Sequence, residues 1–471
     1  FMVNKIIGSN KSYSNCSYYD ITLITIPDDS LISEICDKAF AGFKNLTKIK
    51  IPPHVKRIGD YAFYNCSSLE TVEFSENSEL QTIGSNAFCN TKIKSIKIPK
   101  KLNTIGPYAF SQCTNLEIFD ISDNSELNRI EYCAFNDTKI SKMIIPPLLN
   151  YIDDQAFIKA KNLISFDVSA ENKHYKYIDD SLLLYKKNEG NINYDVIVWA
   201  KKNIENVVIP SYIKEIARNS FYGCDKLKNV QFADNSELQT IGNSSFSYSN
   251  IQSISIPQHV KQIESSAFDY CQNLESVTFH ENSELVLIGS YTFRYTKINK
   301  IVIPKQTRVI QSCAFQYGCK NLESIDFHND SELQTIGSYA FEDSKIQKLL
   351  IPKQVKLIDS HAFYYCTCLE IVDFHVDSKL QSIKQYAFQN SKIKNIVIPQ
   401  SVEEIEDYAF YRCYSLENVE FYENCKLKSI GYEAFNDTNI KILSIPASLN
   451  NVKYGCFNNA KKLTSFNVSP D

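Results

Sequence analysis

The chain has 471 residues, with 50 Lys plus Arg against 54 Asp plus Glu and a formal net charge of −4. That balance argues against nucleic acid or an anionic membrane as the main partner, since both attract a strongly basic face. No apolar run is long enough for a transmembrane helix, so no direct membrane insertion is expected of this segment.

Residues 1–20 are polar, lack the apolar core of a signal peptide, and read as an N-terminal cap segment with Met2 as the native start. From Ile21 the chain becomes repetitive. The stretch Phe74 to Gly84 recurs almost letter for letter as Phe279 to Gly289 and Phe327 to Gly337. Ile-Pro marks stand at Pro27, Pro52, Pro99, Pro146, Pro210, Pro257, Pro304, Pro352, Pro399 and Pro446, mostly 47 or 48 residues apart. A second, non-identical half lies between successive marks, so one coil takes 23 or 24 residues, with 19 coil openings from Ile21 to Leu463. A fixed period in this range signals a solenoid.

Each coil opens with an apolar alternation such as Leu69-x-x-Val72-x-Phe74, read as a short strand with one buried face. Ile-Pro closes the strand, because proline cannot donate to a ladder. The Ala-Phe pair that follows, as at Ala62-Phe63 or Ala387-Phe388, reads as a short helical or 3₁₀ turn that drops a phenyl ring into the core. One coil cannot bury its apolar face alone, so stability must come from stacking neighbours.

The elements fall in order as a first array over 21–168, an insertion over 169–203 and a second array over 204–471. From Leu163 to Ile204 the opening-to-opening distance is 41 residues and no Ala-Phe mark appears. Ser181 to Tyr185 and Asp195 to Trp199 flank Asn188-Glu189-Gly190-Asn191, which predicts a β-hairpin. It serves either as a lid over apolar core or, through residues 181–200, as a homodimer platform with an unpaired edge. The chain ends on Leu463-Thr-Ser-Phe466-Asn-Val-Ser, which repeats Leu163-Ile-Ser-Phe166-Asp-Val-Ser before that hairpin. A second hairpin is therefore expected beyond Asp471, with room for a C-terminal anchor.

The paired halves, Leu-x-x-Ile-x-Ile-Pro-x-x-Val-x-x-Ile-x-x-x-Ala-Phe-x-x-Cys-x-x-Leu, resemble the BspA-like leucine-rich repeat family over about residues 21–469; Val402 to Leu416 illustrates the second part. The resemblance implies an α/β repeat solenoid, an arc with one parallel concave β-sheet and short helical or 3₁₀ turns on the convex side. It further implies a cell-surface or secreted antigen or adhesin.

Cys66, Cys113, Cys224, Cys271, Cys366 and Cys413 stand three residues after the marker phenylalanine, and Cys319 four after. Successive members lie at least two coils, about 10 Å, apart, beyond disulfide reach, so reduced buried thiols are expected. Cys16 and Cys36 are the candidate exception. Free thiols and the missing leader favour the cytoplasm; the resemblance favours the outside.

No Gly-rich phosphate loop, His-Glu-x-x-His or paired Cys-x-x-Cys is present, so no cofactor or metal is expected. His280, His328 and His375 recur at one repeat position, two coils apart and too far to share a metal; they read as solvated positions. Sequons such as Asn10, Asn65 and Asn243 are expected by chance. A parallel β-helix polysaccharide enzyme needs several strands per coil and clustered charges. Here one clear strand per coil and spread charges argue against it.

The outward column of the concave sheet remains. In its N-terminal third Lys50, Glu73, Lys97 and Asp120 alternate in charge. Further on, Val302, Asp326, Leu350, Asp373, Val397 and Glu420 alternate aliphatic with acidic, beside an adjacent column that includes His328, His375 and Tyr422. Exposed aliphatics on a sheet face suit a strand by propensity, and also mark an interface. These nine residues are the candidate binding surface for a protein ligand, such as a host or matrix protein. The function expected is non-catalytic recognition, with an intracellular interaction scaffold as the alternative.

Overall fold

The computed structural model describes residues 21–187, 193–317 and 321–468. The cap segment 1–20, the 188–191 turn, Cys16, Cys319 and residues 469–471 lie outside the described residues. The chain divides between Ile204 and Glu205 into two compact units.

In the first unit, strands such as Lys48–Ile51 and Thr71–Phe74 pair in parallel with Ile49 opposite Val72, and burial alternates along each strand. In the second, Asn206–Ile209 through Ile442–Ile445 repeat that pattern. These longer strands do not form one sheet. Pairing is full where an Ile-Pro strand precedes a Phe strand, as in Lys348–Ile351 on Ile371–Phe374. Where a Phe strand precedes an Ile-Pro strand it shrinks, as at the single pair Ile371–Asn395, or lapses. The cause is proline. The N–H groups of His280, His328, His375 and Tyr422 donate to Ile256, Ile303, Ile351 and Ile398 of the preceding coil. At the next junction Pro304, Pro352, Pro399 or Pro446 occupies the donor position and has no hydrogen to give.

Apart from the coil that bears the insertion and the last one, each coil carries a second strand, contrary to the expectation of one. Two-residue strands such as Arg57–Ile58 and Thr82–Ile83 form a parallel ladder that runs unbroken from Glu34–Ile35 to Tyr151–Ile152 in the first unit. In the second unit an equivalent ladder runs from Glu215–Ile216 to Asn451–Val452. Strand count therefore does not separate this fold from a parallel β-helix.

The Ala-Phe segment is not helical, a further correction. No α-helix occurs among the described residues. The N–H groups of Tyr61, Phe63 and Asn65 instead donate to Ser85, Ala87 and Cys89 of the next coil at 2.7, 2.7 and 2.9 Å. The intervening N–H groups of Ala62, Tyr64 and Cys66 close local turns onto Gly59, Tyr61 and Phe63. Sending alternate amides along the stacking axis places Tyr61 and Asn65 in the left-handed region, both at φ 58°. The same two positions, before and after the phenylalanine, repeat this along the chain, and among the described residues none with positive φ is β-branched.

This turn delivers the phenyl rings as a continuous stack. Phe63, Phe88, Phe110, Phe135 and Phe157 follow at 5.2–5.6 Å with planes within 11°. Phe363, Phe388, Phe410 and Phe435 repeat the arrangement in the second unit at 5.2–5.4 Å. Beside the stack, the cysteines alternate with hydroxyls: Thr91, Ser249, Ser344 and Ser391 lie 3.2–3.3 Å from Cys113, Cys271, Cys366 and Cys413. Each of these thiols also donates to the phenylalanine carbonyl of the preceding coil. Burial pushes Cys66, Cys113, Cys271 and Cys366 up to about 12. The thirteen described cysteines are free.

The insertion is a three-stranded antiparallel meander, Tyr175–Ile178, Leu182–Tyr185 and Val196–Ala200, with a bulge between Leu183 and Leu184. Leu183 and Trp199 join the first unit's core, and Trp199 stands edge-on to Phe166 at 4.8 Å. The Tyr175 hydroxyl accepts the Ile152 N–H at the end of the short ladder.

Candidate functional site

In the second unit the strand pleat turns the first and third residue of each four-residue strand outward. All nine candidates, Val302, Asp326, His328, Leu350, Asp373, His375, Val397, Glu420 and Tyr422, lie within this unit. Val302, Leu350 and Val397 are 51%, 55% and 39% exposed, too open for core residues. Ile371 and Ile442, at 46% and 56%, belong to the same face and were missed, because only the third strand position was read. Reading the first position too would have found them. Leu350, Ile371 and Val397 sit on three successive strands.

The acidic candidates differ from one another. Lys300 lies 3.0 Å from Asp326 and Lys348 3.8 Å from Asp373, each lysine reaching from the first outward position of the preceding strand. The first unit uses the same diagonal: Glu73 is held by Lys48 at 2.6 Å, while Lys50, its register partner, turns to Asp28. Of the alternating charges expected there, Glu73 is paired diagonally and Lys50 outside the column. Exposed pairs of this kind contribute little stability. Alongside, Lys394 and Lys441 hold Glu370 and Glu417 below the usual carboxylate range by hydrogen bonding.

The histidines have a local structural role. Nδ1 of His280, His328 and His375 accepts the N–H of Asn282, Asp330 and Asp377 at 3.0–3.1 Å, closing the turn after the strand as a short polar side chain does elsewhere. Further along, Glu420, Tyr422 and Glu423 line an open groove of about 1110 Å³ with Lys426, Ser444 and Pro446. No group of three or more His, Cys, Asp or Glu suited to a metal occurs among the described residues, and no described helix is long and apolar enough to cross a membrane.

Among solved structures, a leucine-rich repeat protein from Bacteroides ovatus is similar at 23% identity and TM-score 0.47, over 94% of this chain and 91% of that one. The pneumococcal vaccine antigen PcpA matches at 17% identity and TM-score 0.46, over 97% and 91%. A leucine-rich cell surface protein from Faecalibacterium prausnitzii matches at 19% and 0.40, over 96% and 89%. No curated protein matches the chain. The family description "BspA type Leucine rich repeat region" matches in six copies, over 5–80, 33–164, 81–188, 195–317, 286–413 and 381–471. With the repeat matched along nearly all its length, the chain belongs to the BspA-type leucine-rich repeat family.

Proposed function

We propose that the protein is a non-catalytic recognition protein, displayed at the cell surface or secreted, that binds a protein ligand such as a host or matrix component through the concave face of its second unit. The observation that carries the site is the exposure of Val302, Leu350, Ile371 and Val397 on a sheet face that also bears charged residues. Aliphatic side chains there supply burial on binding, while the charges set which partners are tolerated. The family resemblance supports that compartment. Free thiols, which pointed to the cytoplasm, fit either side of a membrane once buried and protonated. The burial of Leu183 and Trp199 leaves the meander better suited to covering core than to making a homodimer.

Two experiments test this. Antibody raised against the folded chain should stain intact, unpermeabilised cells; staining only after permeabilisation would send the search to cytosolic partners. Replacing Leu350 and Val397 by Asp should abolish ligand capture without unfolding, and unchanged affinity would remove this face from consideration.

A further inference from the structure

We infer that the concave face selects a protein segment carrying Lys or Arg beside aliphatic residues, and that Glu420 is the carboxylate that reads the cation. This rests on the concave-face reading above and refines it.

In the second unit a repeated pattern breaks once. Asp326 and Asp373 each face a lysine at the first outward position of the preceding strand, Lys300 and Lys348. At the corresponding place before Glu420 stands Asn395, whose Oδ1 accepts the amide hydrogen of Asn418 at 2.5 Å. In its own column Glu420 lies between Val397 and Ser444, neither of them cationic. Asp120 in the first unit also follows a non-lysine, Ser95; Lys97 lies in register with it, but no ion pair joins the two. Among the described residues no ion pair reaches Glu420 or Glu423.

The consequence is a local charge imbalance in a column whose other carboxylates, Asp326 and Asp373, each have a lysine. Glu420 and Glu423 set two carboxylates around the groove against the one ammonium of Lys426. Half-exposed Tyr422 stands between them and can lay its ring against a cation. Leu350, Ile371 and Val397 lead across successive strands to this groove, and Ile442 lies on its far side. A segment with aliphatic side chains on that track brings its cationic residue to the carboxylate that no lysine has neutralised.

The test is to pan a phage library of random twelve-residue peptides against the whole chain, then measure a selected peptide against variants. Lys or Arg should be enriched beside Leu, Ile or Val. Glu420→Gln should weaken the peptide about ten-fold, and Asp326→Asn or Asp373→Asn less than about two-fold. Asn395→Lys, which rebuilds the ion pair of the neighbouring coils, should weaken it as Glu420→Gln does, although the carboxylate remains. Selected peptides without basic residues, or equal losses from Asp326→Asn and Glu420→Gln, would overturn the inference. Binding lost on Leu350→Asp with Val397→Asp, yet indifferent to Glu420→Gln and Asn395→Lys, would overturn it and leave the concave-face reading standing. Indifference to all of these would remove both.

Discussion

The thiol of Cys413 donates to the carbonyl of Phe388 in the preceding coil across 3.2 Å and lies 3.2 Å from the hydroxyl of Ser391. One small side chain thus ties two coils together beside the phenyl stack. Cys413→Ala removes both contacts and leaves the Ser391 hydroxyl buried without its partner. It should destabilise by about 1–3 kcal/mol, read as a lower urea midpoint at unchanged slope.

The same burial governs reactivity. A thiol pushed up to about 12 presents almost no thiolate at neutral pH. Native-state alkylation with iodoacetamide should therefore mark the partly exposed Cys36 and Cys368 first, leaving Cys113, Cys271 and Cys366 unmodified until the chain unfolds. Early labelling of the buried set, read by peptide mass mapping, would contradict the packing.

Backbone handedness at the turns makes a further prediction. Ser266 sits at φ 58° two residues before Phe268. Ser266→Val should cost about 1–2 kcal/mol, because a branched Cβ clashes in that region, whereas Ser266→Gly should be neutral or slightly stabilising. Equal effects in thermal unfolding would mean the turn is not held left-handed in solution.

Glycine at the end of the short ladder is constrained by approach rather than handedness. A Cβ on Gly431 would stand 2.3 Å from the Asp407 nitrogen, while one on Gly223 meets nothing within 4 Å. Gly431→Ala should cost about 1–3 kcal/mol through forced separation of two coils. Gly223→Ala, at φ 67°, carries only the handedness term, so Gly431→Ala should give the lower melting temperature.

A buried carboxyl gives the pH dependence. Glu342 is 7% exposed, and its Oε2 accepts the Gln316 amide hydrogen at 2.5 Å. Burial raises its affinity for a proton above the ordinary glutamate range of about 4.5. The native state then holds this proton where the unfolded chain has lost it. Its contribution is complete at pH below the unfolded value and disappears as pH rises through the folded one. Glu342→Gln should remove that slope, so wild type loses stability relative to the variant as pH rises above about 4.5 in denaturant titrations. Parallel curves would show that the carboxyl titrates normally.

Much of this architecture is legible in the chain because each coil repeats the same choice. The buried phenylalanines, the alternating strand and the thiol position follow from period alone. The Thr82–Ile83 ladder does not, since two residues are too few to show an alternation. The turn around Phe63 was misread as helical because Ala-Phe among polar residues looks like a short helix. What excludes one is the left-handed backbone at Tyr61 and Asn65, which the residue types there do not announce. In the candidate site, Val302, Leu350 and Val397 are readable from strand parity. The pairing of Asp326 with Lys300 needs the diagonal register, which a single column does not contain.

The alternation of proline-bearing and proline-free strands makes the pair of coils the unit of inheritance. Removing two coils, as from Pro352 to the residue before Pro399, keeps donor beside donorless junction and thiol beside hydroxyl. Removing a single hydroxyl-bearing coil, such as that of Ser391, sets two thiols one strand spacing apart, about 4.8 Å, where oxidation can join them. Lengthening or shortening of this chain by recombination should therefore proceed in steps of 47 or 48 residues, the spacing already present between its Ile-Pro marks.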